Sequence, residues 1–195
     1  TGVYDRNRGF EKTISPSMDI LISSNLERLL YEITGHDADR VAGWMEELKT
    51  AGRYQVDAAT LTRVQELFWS EFCSDEETIK TIRATWDERS YLLDTHTAVA
   101  VNVYAKYLNE HKDSAKTIIA STASPFKFGS SVAQAVLDPE MLSGQDEFAL
   151  LNKLSAATGL KIPEGIKGLD KMPILHHTLS NREQMLETVA SFLEI

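Results

Sequence analysis

Residues 116–131 read KTIIASTASPFKFGSS, and this stretch decides the fold that the sequence predicts. Its first part, Lys116 to Ser121, is the best candidate for a buried strand in the chain. Hydroxyl side chains, a proline and two phenylalanines follow, a mixture that a plain surface turn does not need. Pro125 stands at a typical first-turn position, and Val132 to Leu137 are predicted to be helical. A strand followed directly by a helix indicates an α/β fold.

Start signals for amphipathic helices occur on both sides of this stretch. A capping side chain followed by apolar residues at spacings of three and four predicts such a helix. The predicted starts are Ser24, Asp37, Asp57, Ser74, Asp94, Asp146 and Ser180. Ser24 and Ser74 each precede a glutamate by three residues, which is the pattern of a capping box. The side chains predicted to face inward from the closing helix are Met185, Leu186, Val189 and Phe192.

Three further segments are predicted to be extended. Residues 10–22 read as a strand, a turn and a short extended piece, since Ser15-Pro16-Ser17 interrupts them. Tyr91–Leu93 and Ile174–Thr178 are candidates for short strands.

Composition and charge exclude several classes of protein. The 195 residues are 43% hydrophobic and 25% charged, enough for a sizeable core. The net charge of −9 argues against nucleic-acid binding. No run approaches the roughly 20 apolar residues that a membrane helix needs, so no membrane role is expected. The single cysteine, Cys73, fits a reducing compartment, and a cytoplasmic location is predicted. Because the sequence does not begin with Met, it is expected to be either a processed product or an excised piece of a longer chain.

The common catalytic and metal-binding motifs are missing from the sequence. His176 and His177 are adjacent on a strand candidate and would point to opposite faces, so they are not expected to bind one metal ion. There is no cysteine pair, no glycine-rich phosphate loop and no G-x-S-x-G elbow. Cys73 follows an apolar helix end, where a packed thiol is expected more often than a nucleophile.

Two segments remain as candidates for a site. The first is Asp94-Thr95-His96-Thr97, a helix start with an imidazole in its first turn. It is either an ordinary N-cap or a helix N-terminus directed at an anionic or polar ligand. The second, residues 121–128, is either a β-to-α connection with hydroxyl caps or the edge of a ligand site. The residues alone leave both alternatives open.

A family resemblance favours the functional alternatives. ISPSMDILISSNLERLLYE (residues 14–32), DTHTAVAV (94–101) and STASPFKF (121–128) resemble, in this order and spacing, the C-terminal half of threonine synthase. The family's usual forms are close to S-P-S-M-D-I…S-N-x-E-R-L, D-P-H-T-A-V and T-A-H-P-A-K-F. DRVAGWMEELKTAGRYQVDAATLTRVQELF (39–68) resembles the helical insertion of its bacterial and fungal branch. The similarity covers essentially the whole chain.

Two residues depart from the family's pattern. Thr95 stands where proline is usual, and Ser124 stands where histidine is usual. The second departure puts in doubt any role that needs an imidazole at that position.

The resemblance implies the C-terminal part of the tryptophan-synthase-β-like fold (fold type II) of pyridoxal 5'-phosphate enzymes, with a mainly helical insertion. Its implied reaction converts O-phosphohomoserine and water to threonine and phosphate, in threonine biosynthesis. In the family, the Schiff-base lysine and the loop that holds the cofactor phosphate lie upstream of these motifs. The missing N-terminal half of the same chain is therefore an expected partner. The fragment alone is expected to be inactive, with no catalytic residue of its own and no covalently bound cofactor.

The resemblance also implies roles for individual residues. Thr122 is expected to face the ring nitrogen of the cofactor, and His96 to line the cofactor site. Substrate contacts are expected from Lys127, Asn25, Arg28 and Ser124. No metal ligand is expected.

A division of the chain follows from the same comparison. Residues 1–35 are predicted to be the strand, turn and first helix of the large domain. Residues 36–90 are predicted to form the helical insertion, and 91–195 the C-terminal α/β part. Two alternatives stay open: another pyridoxal-phosphate-dependent phospho-lyase of the same fold, and a noncatalytic helical interaction module without a site at Thr122.

Overall fold

A computed structural model describes residues 1–195, in which helices make up most of the regular structure. The two strands are β1 (Val3–Asp5) and β2 (Arg53–Gln55). The helices are α1 (Ser24–Ile33), α2 (Ala38–Thr50), α3 (Ala58–Leu67), α4 (Asp75–Arg89), α5 (Thr95–His111), α6 (Gly129–Val136), α7 (Pro139–Leu142), α8 (Glu147–Thr158) and α9 (Met185–Leu193). Short 3-10 helices span Pro16–Met18, Pro125–Phe128, Leu169–Lys171 and Arg182–Gln184.

One core forms where the two strands pack on α1 and α2. β1 and β2 are antiparallel, with Tyr4 opposite Tyr54. The rings of these two tyrosines stack with centroids 4.9 Å apart, and Trp44 lies 6.3 Å from Tyr54. Burial raises the pKa of the Tyr54 hydroxyl far above its ordinary value, as expected for a phenol in an apolar core. The buried members of this core are Leu30, Val41, Trp44, Tyr54 and Val56.

A second packed region joins α4, α5, α6 and α8. α6 begins at Gly129, which is buried against α8. A Cβ atom at this position would collide with the Leu151 side chain. Any other residue at position 129 would therefore force Leu151 to shift. The predicted helix at 132–137 is confirmed, although it begins earlier, at Gly129.

The helix start signals are correct at five of the seven predicted sites. The exceptions are Ser24 and Ser180; after Ser180 a 3-10 helix begins at Arg182 and α9 begins only at Met185. Ser74 and Glu77 form the predicted capping box at α4. Aspartate side chains cap the helices that follow Asp37, Asp57, Asp94 and Asp146. The capping box predicted at Ser24 is wrong. Ser24 is already the first helical residue and Ser23 is the N-cap, so the Ser24 hydroxyl cannot cap the helix.

Several predicted strands are absent. Residues 116–122, 91–94 and 173–180 contain neither helix nor strand, and 10–22 contain no strand. The strand β1 at Val3–Asp5 was not predicted. Ile118, predicted to be buried, is 94% exposed. A strand is stable only when a neighbour accepts and donates its backbone hydrogen bonds, and these segments have no pairing strand in the described chain.

Residues Glu164–Ile195 form a separate compact unit that contains α9. The side chains predicted to face inward from this helix, Met185, Leu186, Val189 and Phe192, are exposed. That prediction is wrong. The helix is amphipathic, as the spacing requires, but the rest of this small unit supplies no other helix longer than three residues to cover its apolar face.

Candidate functional site

The best-organised polar group in the chain lies at the N-terminus of α5. The Asp94 side chain is buried, with 1% of the residue exposed. Its Oδ1 accepts hydrogen bonds from the backbone N–H groups of His96 (2.9 Å) and Thr97 (3.3 Å). These donors have no partner within the helix, so the carboxylate satisfies them and is itself held by them.

A hydroxyl contact connects this helix start to the segment at 121–128. The Thr97 hydroxyl bonds Oδ2 of Asp94, and Oγ1 of Thr97 lies 3.2 Å from Oγ of Ser121. A cavity of about 390 Å³ adjoins the Thr97–Ser121 contact. The segment that carries Ser121 is therefore held to α5 by a hydrogen bond beside an open cavity.

His96 joins the same place to the turn at 15–18. The backbone N–H of Ser17 donates to Nε2 of His96 at 3.1 Å. Nδ1 of His96 lies 3.3 Å from both Oδ1 of Asp94 and Oγ1 of Thr95. Because Nε2 accepts a hydrogen bond, the proton of the neutral ring belongs on Nδ1, where it faces these oxygens. The Phe128 ring packs on the imidazole with centroids 4.6 Å apart.

The three sequence motifs thus meet around one imidazole. The group of Ser17, Asp94, His96, Thr97 and Ser121 is called the His96 cluster below. Of these residues, His96 was predicted as a site residue, whereas Ser17, Thr97 and Ser121 were missed. Thr97 had a usable signal, since it is the third residue of a helix capped by Asp94. The contact of Ser17 has no local signal, because its partner lies 79 positions away.

Thr122, the predicted ring-facing residue, directly follows the anchored Ser121. Its side chain is exposed and its hydroxyl makes no hydrogen bond with the chain. A hydroxyl can both donate and accept, so Thr122 retains its full capacity to bind a polar ligand.

The structure places Ser124 and Lys127 just beyond it. Oγ of Ser124 accepts a hydrogen bond from the backbone N–H of Phe126 (3.3 Å), and so caps the 3-10 helix Pro125–Phe128. Lys127 is exposed, and its Nζ lies 5.4 Å from the centre of the Phe128 ring. The ammonium group of Lys127 forms no ion pair with the chain and can accept an anionic partner.

Asn25 and Arg28, the other two predicted residues, lie one turn apart on α1. Both are exposed, and the Arg28 guanidinium donates to Oδ1 of Asn25. Arg28 borders a cavity of about 270 Å³ between α1 and α2. No hydrogen bond or ion pair joins either residue to the His96 cluster.

Neither a metal-binding cluster nor a membrane-spanning helix is found among the described residues. No three His, Cys, Asp or Glu side chains lie close enough together to hold a metal ion. None of the helices combines the length and apolar composition needed to cross a lipid bilayer.

Comparison with known families identifies the chain's relatives. Residues 97–192 match the family model "Threonine synthase, C-terminal". The threonine synthase of Saccharomyces cerevisiae is 39% identical over 150 residues, which cover 70% of this chain and 29% of that protein. The human protein "Threonine synthase-like 1" is 36% identical over 137 residues, 70% of this chain and 18% of that protein. The chain thus spans less than a third of the length of these curated relatives.

Two solved structures match the fold. The crystal structure of yeast threonine synthase superimposes with a TM-score of 0.76 and 31% identity, covering 99% of this chain and 38% of that one. The structure of PLP-bound threonine synthase from Brucella melitensis has a TM-score of 0.65 and 34% identity, covering 78% of this chain and 32% of that one. These matches confirm the predicted fold class, the C-terminal part of an α/β enzyme that is mainly helical here, and they confirm the resemblance drawn from the three motifs.

Proposed function

We propose that this chain, whose residues 97–192 match the threonine synthase C-terminal family model, is the C-terminal part of a threonine synthase. The whole enzyme, which we call the intact protein, would convert O-phosphohomoserine and water to threonine and phosphate. The observation that carries this proposal is the meeting of all three family motifs at the His96 cluster. Thr122 directly follows Ser121 of this cluster, and its hydroxyl has no partner in the chain.

Pyridoxal 5'-phosphate is the proposed cofactor of the intact protein. When bound, it supplies an electron sink for carbanions formed on an amino-acid substrate, and the group facing its ring nitrogen tunes that sink. The residues present fit this cofactor, because Thr122 offers a neutral hydroxyl that is exposed and has no partner in the chain.

Thr122 is proposed to donate a hydrogen bond from its hydroxyl to an unprotonated ring nitrogen. A carboxylate at this place would instead hold the nitrogen protonated. Asp94, the nearest buried carboxylate, cannot take that role, because its oxygens are engaged by two backbone N–H groups and the Thr97 hydroxyl. A neutral hydroxyl leaves the sink shallower, which suits elimination and replacement at the substrate.

His96 and Phe128 are proposed to line the cofactor site beside Thr122. The imidazole ring is held by Ser17 and Asp94 and is covered on one side by Phe128, so its position is fixed. In this arrangement His96 contributes shape and polarity, since both of its nitrogens already have partners in the chain.

The exposed cations are proposed to bind the substrate phosphate. Lys127 lies five residues after Thr122 and has no ion-pair partner, so it is the best placed. Arg28 and Asn25 on α1 are a second pair of candidates, and Ser124 a third, although its hydroxyl already caps a 3-10 helix. An exposed cation binds an anion weakly by itself, so phosphate recognition would need the donors of the intact protein as well.

The chain by itself is proposed to be inactive. Nothing in it matches the lysine that would carry the cofactor or the loop that would hold the cofactor phosphate. Both would come from the N-terminal part of the same protein, in keeping with the short span of the relatives that this chain covers. A cytoplasmic location, and the division of the chain at residues 35 and 90, stay predictions.

A second phospho-lyase of the same fold is the alternative that one observation favours. The human threonine synthase-like protein is 36% identical to this chain, close to the 39% of the yeast threonine synthase. Residues outside this chain would then select a different phosphorylated amino acid.

The decisive experiment uses the purified intact protein with pyridoxal 5'-phosphate and O-phosphohomoserine. Equal amounts of threonine and phosphate are expected. Release of phosphate without threonine would favour the alternative phospho-lyase, and the absence of both products together with no cofactor binding would contradict the enzyme assignment.

A further inference from the structure

Resting on the proposed function, we propose that Asp94 and Thr97 are positioning residues that hold Ser121, and through it orient Thr122 toward the cofactor ring. The contacts form a chain of three side chains: the buried Asp94 carboxylate, the Thr97 hydroxyl, and the Ser121 hydroxyl 3.2 Å from it. None of the three contacts the cofactor in this arrangement. Each acts through the next.

The direction of the hydrogen bonds follows from counting protons. Thr97 has one hydroxyl proton and two neighbouring oxygens that could accept it. A carboxylate oxygen has no proton to give, so the proton of Thr97 belongs to Asp94. Oγ of Ser121, 3.2 Å away, is the second and more distant acceptor of the same Thr97 hydroxyl.

Asp94 and Thr97, at one end of this series of contacts, are held rigidly. Asp94 is buried and its Oδ1 is fixed by two backbone N–H groups of the first turn of α5. Thr97 is also buried, on the same turn. Oxygens held in this way have little freedom to move, so they define where Ser121 must lie.

The segment that carries Ser121 and Thr122 would otherwise be loosely held. Residues 116–122 make no backbone-to-backbone hydrogen bond, and the Ser121 hydroxyl supplies their hydrogen bond to the helices. The cavity of about 390 Å³ adjoins this contact, so close packing does not replace it. Loss of the Thr97–Ser121 bond would therefore release the segment that carries Thr122.

Thr122 follows Ser121 directly, so anchoring Ser121 limits where Thr122 can lie. The Thr122 side chain is exposed and its hydroxyl makes no hydrogen bond with the chain, which leaves it free for a ligand.

The test compares three substitutions in the intact protein. Thr97→Val keeps the shape of the side chain and removes the hydroxyl, whereas Thr97→Ser keeps the hydroxyl. Thr78→Val is the matched control, because Thr78 is a buried threonine in the first turn of α4 whose hydroxyl bonds the carbonyl oxygen of Ser74. The readouts are the Kd for pyridoxal 5'-phosphate, the absorbance spectrum of the bound cofactor, and kcat.

We expect Thr97→Val to raise the cofactor Kd about tenfold, since one hydrogen bond to a charged group is broken and a positioned side chain is released. The cofactor spectrum should shift and kcat should fall. Thr97→Ser should restore all three values, and Thr78→Val should lower thermal stability alone. The proposal is overturned if Thr97→Val and Thr78→Val give the same Kd and the same spectrum.

A double-mutant cycle guards against a variant that folds poorly. Ser121→Ala removes the other end of the same contact from an exposed position, so folding of this variant is not at risk. The effects of Thr97→Val and Ser121→Ala on Kd should be similar and should not add in the double variant. Full additivity would also overturn the proposal. A wild-type protein that binds no cofactor would be a different result, because it contradicts the proposed function itself.

Discussion

At the scale of single residues, the chemistry proposed here depends on one neutral oxygen. Thr122 presents a hydroxyl without a partner in the chain, while the only buried carboxylate nearby, Asp94, is fully engaged in capping α5. Thr122 is therefore free to bind a ligand, whereas Asp94 stabilises the start of α5. A neutral hydroxyl and a charged carboxylate would have opposite effects on a ring nitrogen.

Substitutions of Thr122 in the intact protein test this role directly. Thr122→Ala should weaken cofactor binding and slow turnover about five- to tenfold, because one hydrogen bond of about 1 kcal/mol is lost. Thr122→Ser should preserve both, since it keeps the hydroxyl. Equilibrium dialysis with pyridoxal 5'-phosphate and a threonine assay would measure the effects; near-normal values for both variants would exclude the role.

Contacts between near neighbours can be predicted from the sequence, whereas contacts between distant residues cannot. Asp94 as an N-cap follows from its position before a helix, because the donors it satisfies are two and three residues away. The bond from Ser17 to His96 joins residues 79 positions apart, and no local pattern specifies it. The contact between Thr97 and Ser121 was hidden for the same reason.

At the scale of secondary-structure elements, the helices were predictable and the strands were not. A helix satisfies its backbone groups locally, so capping residues and spacing identify α2, α4 and α8 from the sequence alone. A strand depends on neighbours that can lie anywhere in the chain. The apolar run at 116–121 has the composition of a buried strand, yet it has no pairing strand among these residues.

Gly129 is the residue on which the packing of α6 against α8 depends. Gly129→Ala should destabilise the protein by about 1–2 kcal/mol, because overpacking against the buried Leu151 outweighs the gain in helix propensity. Thermal unfolding should show a midpoint several degrees lower. Gly43→Ala is the control: Gly43 is exposed on α2 with no atom near its Cβ position, so this change should be neutral or stabilising.

The start of α4 should respond to acid. A hydrogen bond from the Lys106 ammonium, 2.8 Å from Oε1, and another from the Ser74 N–H lower the pKa of Glu77 to about 2. Because the folded-state pKa lies below the ordinary value, the stabilisation is complete above about pH 4.5 and is lost as the pH falls toward 2.

Glu77→Gln should remove this part of the acid response. The difference in Tm between wild type and variant should be present at pH 7 and should narrow at pH 3, as measured by circular dichroism. Glu66→Gln, at an exposed position of α3 without an ion pair, is the comparison and should change neither value. An equal difference at both pH values for Glu77→Gln would contradict the assignment.

At the scale of the whole molecule, apolar side chains are exposed at many places. Among the most exposed are Ile118, in the segment without a pairing strand, and Leu186 and Phe192 on α9. Exposed apolar surface promotes association, so the 195-residue chain should form oligomers as its concentration rises. Light scattering would measure this; a constant monomer mass at high concentration would contradict the expectation.

Variants can show which surface causes the association. Leu186→Asn combined with Phe192→Asn removes the two most exposed apolar side chains of α9, and Ile118→Asn removes an exposed apolar side chain of the segment at 116–122. Either change should reduce the average mass at high concentration. Ile22→Asn replaces an exposed isoleucine elsewhere and should leave the mass unchanged.

The pairing of β1 with β2 has a consequence for a cleaved chain. The two strands lie on opposite sides of α1 and α2 in the sequence, and Tyr4 stacks on Tyr54 across the pair. A protease nick at the exposed Gly35, between these helices, would leave both pieces attached through the strands and the shared core. The nicked molecule would run as two bands on a denaturing gel and as one particle on a sizing column, so these two pieces could be translated separately and still reassemble by complementation.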